Sequence, residues 1–98
     1  MKTNKIVVTR HKGLVQYLIN KGLITKDVPV ISHATVDDVR GKHVIGVLPL
    51  WLAVYTDKMT IVKLRIPTNM RGKELTEEEV ATLAPQPRTY KIHKTSFN

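Results

Sequence analysis

The sequence has no cysteine among its 98 residues. This absence excludes disulfide bonds, thiolate zinc sites and thiol nucleophiles, and it suits a protein of the reducing cytosol. Long apolar runs are also lacking, and none approaches the roughly 20 residues of a transmembrane helix. The apolar segment behind Lys2 and Lys5 is too short for the core of a signal peptide. We therefore expect a cytoplasmic protein without a membrane partner.

Aromatic residues are scarce, since only Trp51, Phe97 and three tyrosines are present. They are too few to form a platform on which successive bases of a long single strand could stack. Acidic residues are few as well: eight oppose sixteen Lys and Arg, which gives a net charge of +8. Residues 1–26 contain no acidic side chain at all. Such an excess attracts polyanions, so we predict a phosphate ligand rather than a stable partnership with long nucleic acid.

The length of the chain predicts one small domain over residues 1–98. Apolar runs rich in β-branched residues alternate with segments of helical spacing. We predict strands at 5–9, 28–32, 43–47, 59–66 and 88–94, and helices at 14–21, 50–57 and directly after Thr76. Strands that alternate with helices indicate a three-layer α/β sandwich with a largely parallel sheet.

Three local signals fix helix ends. Thr76 and Glu79 form a capping-box pattern, which explains why four of the eight acidic residues collect at positions 74–79. Thr35 is predicted to cap a short turn over 36–39, and Pro49 is predicted to lie in the first turn of the helix at 50–57. A loose tail is expected from Thr95 onwards.

The first strand leads into a cluster of cations. Ligands of open α/β sheets bind beyond the carboxyl ends of the strands, and here Thr9 is followed by Arg10, His11, Lys12 and Gly13. These residues precede a helix whose free amide groups favour anions, so we predict a phosphate site. The alternative is that Arg10 and Lys12 are solvated charges and that His11 merely caps the helix.

His33 follows the second strand and can reach the same edge of the sheet as a general acid or base. A purely structural histidine is the alternative, and it is our prediction for His43 and His93. A metal site of His33, His43, Asp37 and Asp38 is conceivable, but the spacing matches no known ligand pattern. We therefore predict neither a metal nor a cofactor.

Two further segments carry candidate residues. Gly46, at the end of the third strand, would let the backbone approach either a ligand or a neighbouring strand. Arg71 and Lys73 lie in a loop after the fourth strand and are candidates for a lid over bound phosphate, with solvated charge as the alternative. We expect three apolar residues of the helix at 50–57 to be core or dimer contacts rather than contacts to a base: Trp51, Leu52 and Tyr55.

Three segments together resemble a small family of type III CRISPR-associated ring nucleases, in the same order over about residues 5–93. These segments are Val8–Gly13, Val44–Ala53 and Arg71–Leu75. The resemblance implies a small Rossmann-like homodimer with about five mostly parallel strands that degrades the second messenger cyclic tetra-adenylate and so switches off CRISPR signalling. By position it implies a substrate site of Thr9, Arg10, His11, Gly13, Gly46, Leu48, Pro49, Arg71, Gly72 and Glu74.

The chemistry of such a ring fits the charged residues. A ring of four nucleotides has four phosphates and can have two-fold symmetry, which matches a symmetric dimer. Attack by the ribose 2′-hydroxyl opens the ring without a metal, so the protein must mainly position and neutralise charge. We predict that Arg10 and Arg71 bind phosphate, that His11 or His33 transfers protons, and that Lys73 and Lys12 support them. The alternatives are a non-catalytic sensor or sponge and a nonspecific nucleic-acid binder.

Overall fold

A computed structural model describes residues 4–83 and 85–96 of the chain. Within these residues, five strands form one sheet in the order β2-β1-β3-β4-β5. The first four strands are parallel, and β5 runs antiparallel to β4. The strands are β1 (Lys5–Val8), β2 (Val30–Ile31), β3 (His43–Gly46), β4 (Lys58–Lys63) and β5 (Gln86–Tyr90).

Helices cover both faces of the sheet and give it two apolar cores. Val7 and Ile45 pack with residues of α1 and α4 on one face, whereas Ile6, Val8 and Val44 pack with α2 and α3 on the other. The helices are α1 (Lys12–Asn20), α2 (Val36–Val39), α3 (Leu50–Ala53) and α4 (Glu77–Thr82), and a 3-10 turn spans Thr68–Met70. The predicted three-layer α/β sandwich with a mostly parallel sheet is confirmed.

The unbroken apolar run of β1 is explained by its position between two strands and two helical layers. Ile6, Val7 and Val8 are all buried, and each such side chain contributes about 1.5–3 kcal/mol relative to its exposed state. Because β1 and β3 are parallel neighbours at the centre, the polar residues that follow β1 and the apolar residues that follow β3 emerge at the same edge of the sheet.

Several predicted boundaries were wrong. The third helix ends at Ala53 instead of residue 57, since the Thr56 hydroxyl donates to the Ala53 carbonyl and the chain turns there. Pro49 occupies the N-cap of α3 and not its first turn. The second strand shrinks to two edge residues, and β4 ends at Lys63, where its pairing with β5 stops.

The last strand begins two residues earlier and ends four residues earlier than predicted. Pro87 falls inside β5 opposite Val62, a position that an edge strand tolerates because one side of the strand forms no ladder. Residues 91–96 adopt no regular structure, and Phe97 and Asn98 lie outside the described residues. Within the described residues, every helix is too short or too polar to cross a membrane.

Candidate functional site

The strand order places a topological switch point between β1 and β3. The chain leaves β1 for β2 on one side and then returns to β3 on the other side, and doubly wound sheets of this order bind ligands at that point. The segment that follows β1 contains Thr9, Arg10 and His11. Two open clefts border this segment, and a third lies beside the start of α1; each is described below.

Arg10 and His33 come together although 23 residues separate them. Arg10 Nη2 lies 3.3 Å from His33 Nε2, and both side chains are exposed at the carboxyl edge of the sheet. A guanidinium group has donors only, so Nε2 must accept this hydrogen bond. A hydrogen bond between these two atoms therefore requires the His33 tautomer in which Nε2 carries no proton.

The first cleft has a volume of about 430 Å³ and combines cations with an apolar wall. Arg10, His11 and Lys12 supply positive charge, while Val15 and the partly exposed Val30 supply apolar surface. The full lining is Thr9, Arg10, His11, Lys12, Val15, Val30, Ile31 and Ser32. The lining residues Val15, Val30 and Ile31 were not predicted from the sequence. An apolar residue within a predicted strand or helix is expected to be in the core, so the sequence does not mark it as part of a cleft.

The second cleft, of about 420 Å³, shares Arg10 and His11 with the first. Its other lining residues are Gly72, Lys73 and Glu74, so the loop after β4 does reach the segment after β1. Gly72 has a φ of +82°, a left-handed conformation that favours glycine. The family resemblance implies that Glu74 belongs to the substrate site. In the structure Glu74 lines this cleft and places a carboxylate beside the cations.

Arg71 lines none of the three clefts, although it belongs to the described residues. It is exposed and follows the 3-10 turn. Lys73 does line the second cleft, but its ammonium group lies 2.7 Å from Glu79 Oε2. The Lys73 ammonium and the Thr76 amide hold the pKa of Glu79 below its ordinary value. Part of the charge of Lys73 is thus committed to the cap of α4.

The N-terminus of α1 is available to an anion. His11 occupies the N-cap position, but within this fully described segment its side chain forms no capping hydrogen bond. Its own amide donates to Thr9 Oγ1 at 3.1 Å. His11 therefore occupies the N-cap position without capping the helix through its side chain. The first turn of α1 carries no acidic side chain, so the positive end of the helix dipole is not compensated there.

Gly13 is explained by backbone packing. It is buried, and a Cβ built on it would lie 2.1 Å from the Leu75 carbonyl oxygen and 2.6 Å from the Thr76 carbonyl carbon. The third cleft, of about 460 Å³, lies beside this contact and is lined by Lys12, Gly13, Gln16, Glu74, Leu75, Thr76 and Glu77. Only glycine lets α1 approach the start of α4 so closely.

The second family motif is largely structural. A Cβ on Gly46 would lie 2.2 Å from the Val8 carbonyl oxygen, so the alternative of close strand packing is the one that the structure supports. Leu48 is buried in the core, and Pro49 is exposed at the N-cap of α3. In the described part of the chain, these three residues line none of the clefts around Arg10.

The remaining histidines lie away from these clefts. His43 Nε2 is 2.6 Å from Thr60 Oγ1, which supports its predicted structural role, and His93 is exposed in the irregular segment 91–96. Among residues 4–83 and 85–96, no group of three or more His, Asp or Glu side chains could hold a metal ion.

An apolar patch lies at the end of β3. Val47, Leu50 and Trp51 are each 67–70% exposed. We call these three residues the α3 patch. Leu52 is buried, as expected for a core residue, whereas Trp51 and Tyr55 are exposed and do not belong to the core.

Fold and site together define a doubly wound α/β domain whose carboxyl edge carries basic clefts. Residues 6–93 match the family model described as "Putative CRISPR-associated protein (Cas_VVA1548)", and the chain belongs to this family. A search of curated proteins and a search of solved structures each found no match. The CRISPR association implied by the three sequence segments is thereby confirmed.

Proposed function

We propose that this protein is a metal-independent ring nuclease that linearises cyclic tetra-adenylate. The observation that carries the proposal is the contact between Arg10 and His33 at the switch point, with His11 lining the same cleft as Arg10. His33 lines none of the three clefts itself and reaches the first cleft only through its contact with Arg10, whereas His11 lines that cleft directly. Together these residues offer the charge neutralisation and proton transfer that phosphodiester transesterification requires.

Phosphate binding falls to Arg10, Lys12 and the free amides of α1. Arg10 offers a planar fork of donors that suits phosphate oxygens, and Lys12 adds a second cation on the same cleft. The uncompensated N-terminus of this nine-residue helix adds to both. Thr9 and Gly13 then serve mainly to shape the backbone, and Arg71 would reach the ligand only if the loop moved.

The reaction is an in-line displacement at phosphorus. The ribose 2′-oxygen forms a bond to phosphorus while the bond to the 5′-oxygen breaks, which leaves a 2′,3′-cyclic phosphate and a 5′-hydroxyl. We assign the proton of the 2′-hydroxyl to His33 Nε2, because that nitrogen is an acceptor in the contact with Arg10. A phosphate that draws Arg10 away frees this lone pair. His11, starting as the imidazolium, donates a proton of its own to the leaving 5′-oxygen, and exchange with solvent afterwards returns both rings to their starting states.

The apolar wall supports a nucleoside ligand. Val15, Val30 and Ile31 lie in the same cleft as Arg10 and Lys12, so an adenine ring can pack on the wall while its phosphate meets the cations. Ser32 and Glu74 offer hydrogen-bond partners at the borders of the two clefts. A bare inorganic phosphate would leave this wall unused.

A symmetric dimer would complete the receptor. The α3 patch follows β3, next to β1, and exposes three large apolar side chains. Association of two chains through this patch would bury these side chains and would bring two basic clefts to one two-fold axis. A ring with four phosphates could then engage both subunits.

The test is incubation of the protein with cyclic tetra-adenylate in excess chelator, followed by chromatography and mass spectrometry. Linear products that end in a cyclic phosphate are expected. A ring that stays intact but co-elutes with the protein would replace the proposal with a sensor or sponge. Binding that is indifferent to ring closure and falls steeply with salt would replace it with a nonspecific nucleic-acid binder.

Matched variants distinguish an effect of the site residues from an effect of the overall positive charge. Loss of one preorganised donor to a transition state lowers kcat by roughly 10²–10³-fold, and we expect this of Arg10→Ala. Arg88→Ala removes an exposed arginine from the edge strand β5 and should leave the rate unchanged. His33→Ala and His11→Ala should each slow cleavage more than binding, whereas His93→Ala should do neither. Equal rates for Arg10→Ala and Arg88→Ala would contradict the assignment.

The dimer has its own test. Trp51→Glu places a charge in the α3 patch, and Tyr90→Glu places one on an equally aromatic but distant surface of β5. Analytical ultracentrifugation should show a dimer for the original protein and for Tyr90→Glu, and a monomer for Trp51→Glu. A dimer that persists in Trp51→Glu would exclude the α3 patch as the interface.

A further inference from the structure

A cavity of about 170 Å³ lies at the amino end of the parallel strands, on the side of the sheet that carries α1. It is separate from the three clefts, because it shares no lining residue with them among the described residues. Its lining is Lys5, Leu18, Leu23, His43, Ile45, Thr60, Val62, Pro87 and Thr89. An apolar cavity of ~150 Å³ is large enough for a benzene ring.

The polar groups of this cavity form a connected chain. His43 Nε2 lies 2.6 Å from Thr60 Oγ1, which lies 2.8 Å from Thr89 Oγ1. Thr60 is the one buried polar residue among those described. Its hydroxyl is within hydrogen-bond distance of both His43 and Thr89. The hydroxyls are therefore satisfied without a ligand, and the rest of the lining is apolar except for Lys5.

Positive charge surrounds the polar side of the cavity. Lys5 is a lining residue, and its ammonium group lies 3.1 Å from the Leu23 carbonyl oxygen at the cavity wall. Burial lowers the pKa of His43, Lys58 and Lys5 lower it further, and Asp57 opposes them. Two cations against one carboxylate leave a net positive potential at this end of the cavity.

We propose that this cavity binds a small aromatic carboxylate, with the ring among Leu18, Ile45 and Val62 and the carboxylate at Lys5. The size of the cavity admits a single ring, the apolar wall excludes a strongly hydrated ligand, and the lysine selects an anionic end. The inference does not depend on the proposed ring nuclease activity, since it uses other residues at the opposite edge of the sheet.

Benzoate is the probe, and benzamide and acetate are its comparisons. Benzamide keeps the ring without the charge, and acetate keeps the charge without the ring. In a titration of the full chain followed by ¹H–¹⁵N NMR, benzoate should shift the amides of Lys5, His43 and Thr89 saturably and more strongly than either comparison. Equal binding of benzoate and benzamide would overturn the anionic class of ligand, and no saturable shift would overturn the site.

Two variants test the residues. Lys5→Met keeps most of the side-chain volume and should weaken benzoate about threefold to fivefold, as expected for one exposed ion pair, without changing benzamide. Thr89→Phe should fill the cavity mouth and abolish both titrations. Lys63→Met and Thr95→Phe are the matched controls on exposed positions outside the cavity. Unchanged benzoate binding in Lys5→Met and Thr89→Phe would contradict the proposal.

Discussion

The two longest helices, α1 and α4, share one face of the sheet but begin in opposite ways. The first turn of α4 carries Glu77, Glu78 and Glu79, and Thr76 closes a full capping box. The first turn of α1 carries Lys12 and no acidic side chain, and His11 at its N-cap forms no side-chain capping hydrogen bond within this described segment. The two starts lie in contact, because Gly13 packs on the backbone of Leu75 and Thr76.

The difference separates stability from binding. Side chains of its own segment satisfy the amides of α4 and compensate its dipole, so an external anion gains little there. The start of α1 has neither kind of compensation, and an external anion can supply both. A segment that forgoes local stabilisation beside a cluster of cations is what we expect at a ligand site.

Gly13→Ala is expected to have the largest effect on this pair of helices. The new Cβ would meet backbone atoms at 2.1–2.8 Å, and backbone cannot move aside as a flexible side chain can. We expect a loss of about 3 kcal/mol in the free energy of unfolding, measured by urea denaturation.

Gly22→Ala is the control for that substitution. Gly22 also has a special conformation, with φ at +73°, but a Cβ there would meet nothing within 4 Å. The expected loss is about 1 kcal/mol, from backbone strain alone. If both variants lose the same amount, close packing is not the reason for glycine at position 13.

Lys12→Glu would make the start of α1 resemble the start of α4. The added carboxylate complements the helix dipole, so stability should rise by about 0.3–1 kcal/mol. The same carboxylate repels phosphate, so binding of cyclic tetra-adenylate should weaken by roughly tenfold or more, a change of ~1.4 kcal/mol. Calorimetry gives both quantities on one sample.

Glu78→Lys is the reverse exchange in α4. It should lower stability by a similar amount and leave ring binding unchanged, since Glu78 lines none of the three clefts described here. If stability and ring binding both rise, or both fall, in Lys12→Glu, the proposed distinction between the two helix starts is contradicted.

Thr76→Ala should remove the capping box of α4 at a loss of about 1 kcal/mol in thermal denaturation. Thr35→Ala removes the equivalent box of α2, in which Thr35 pairs with Asp38. The loss should be smaller there, because α2 has only four residues whereas α4 has six. A larger loss for Thr35→Ala would show that helix length does not set the value of a cap.

The pH dependence of stability should show the smallest effect. The pKa of Glu79 is lowered in the folded protein by Lys73 and by the Thr76 amide. The unfolded chain therefore binds a proton first as the pH falls. The contribution of Glu79 is complete above its ordinary pKa of 4.5 and is lost as the pH falls through the folded value.

The Glu79→Gln variant should accordingly lose less stability on acidification than the original protein. Denaturation midpoints at a series of pH values from neutrality into the acid range measure this difference. Parallel pH curves for the two proteins would show that the ion pair with Lys73 contributes nothing to folding.

Local sequence patterns predicted the start of a helix well where a single capping residue determines it. The capping box at Thr76 and the N-cap at Thr35 were predictable because side chain and backbone interact within a few residues. The ends of β2 and β4 were misplaced because pairing partners set them, and the end of α3 was misplaced because the chain turns where the Thr56 hydroxyl donates to the Ala53 carbonyl. Pro87 entered a strand since that strand lies at an edge, which periodicity does not reveal.

The site was predictable only in part. Arg10, His11 and Lys12 were found because they follow a strand and precede a helix, and the structure places them in one cleft. The apolar wall from β2 was not found, since nothing in an apolar residue marks it as exposed. Gly46 and Gly13 were recognised as candidate residues from the sequence. Only the position of the neighbouring backbone shows that glycine is required at both for close packing.

The sequence by itself determined the α/β class, the basic segment after the first strand and the acidic cap of α4. These features depend on contacts within one turn or one strand, which short-range chemistry fixes. Only the tertiary structure decided that Arg10 meets His33, that Gly46 packs against the backbone of Val8, and that Trp51 is exposed. Each of these depends on the strand order, which brings together residues that are distant along the chain or leaves them in solvent.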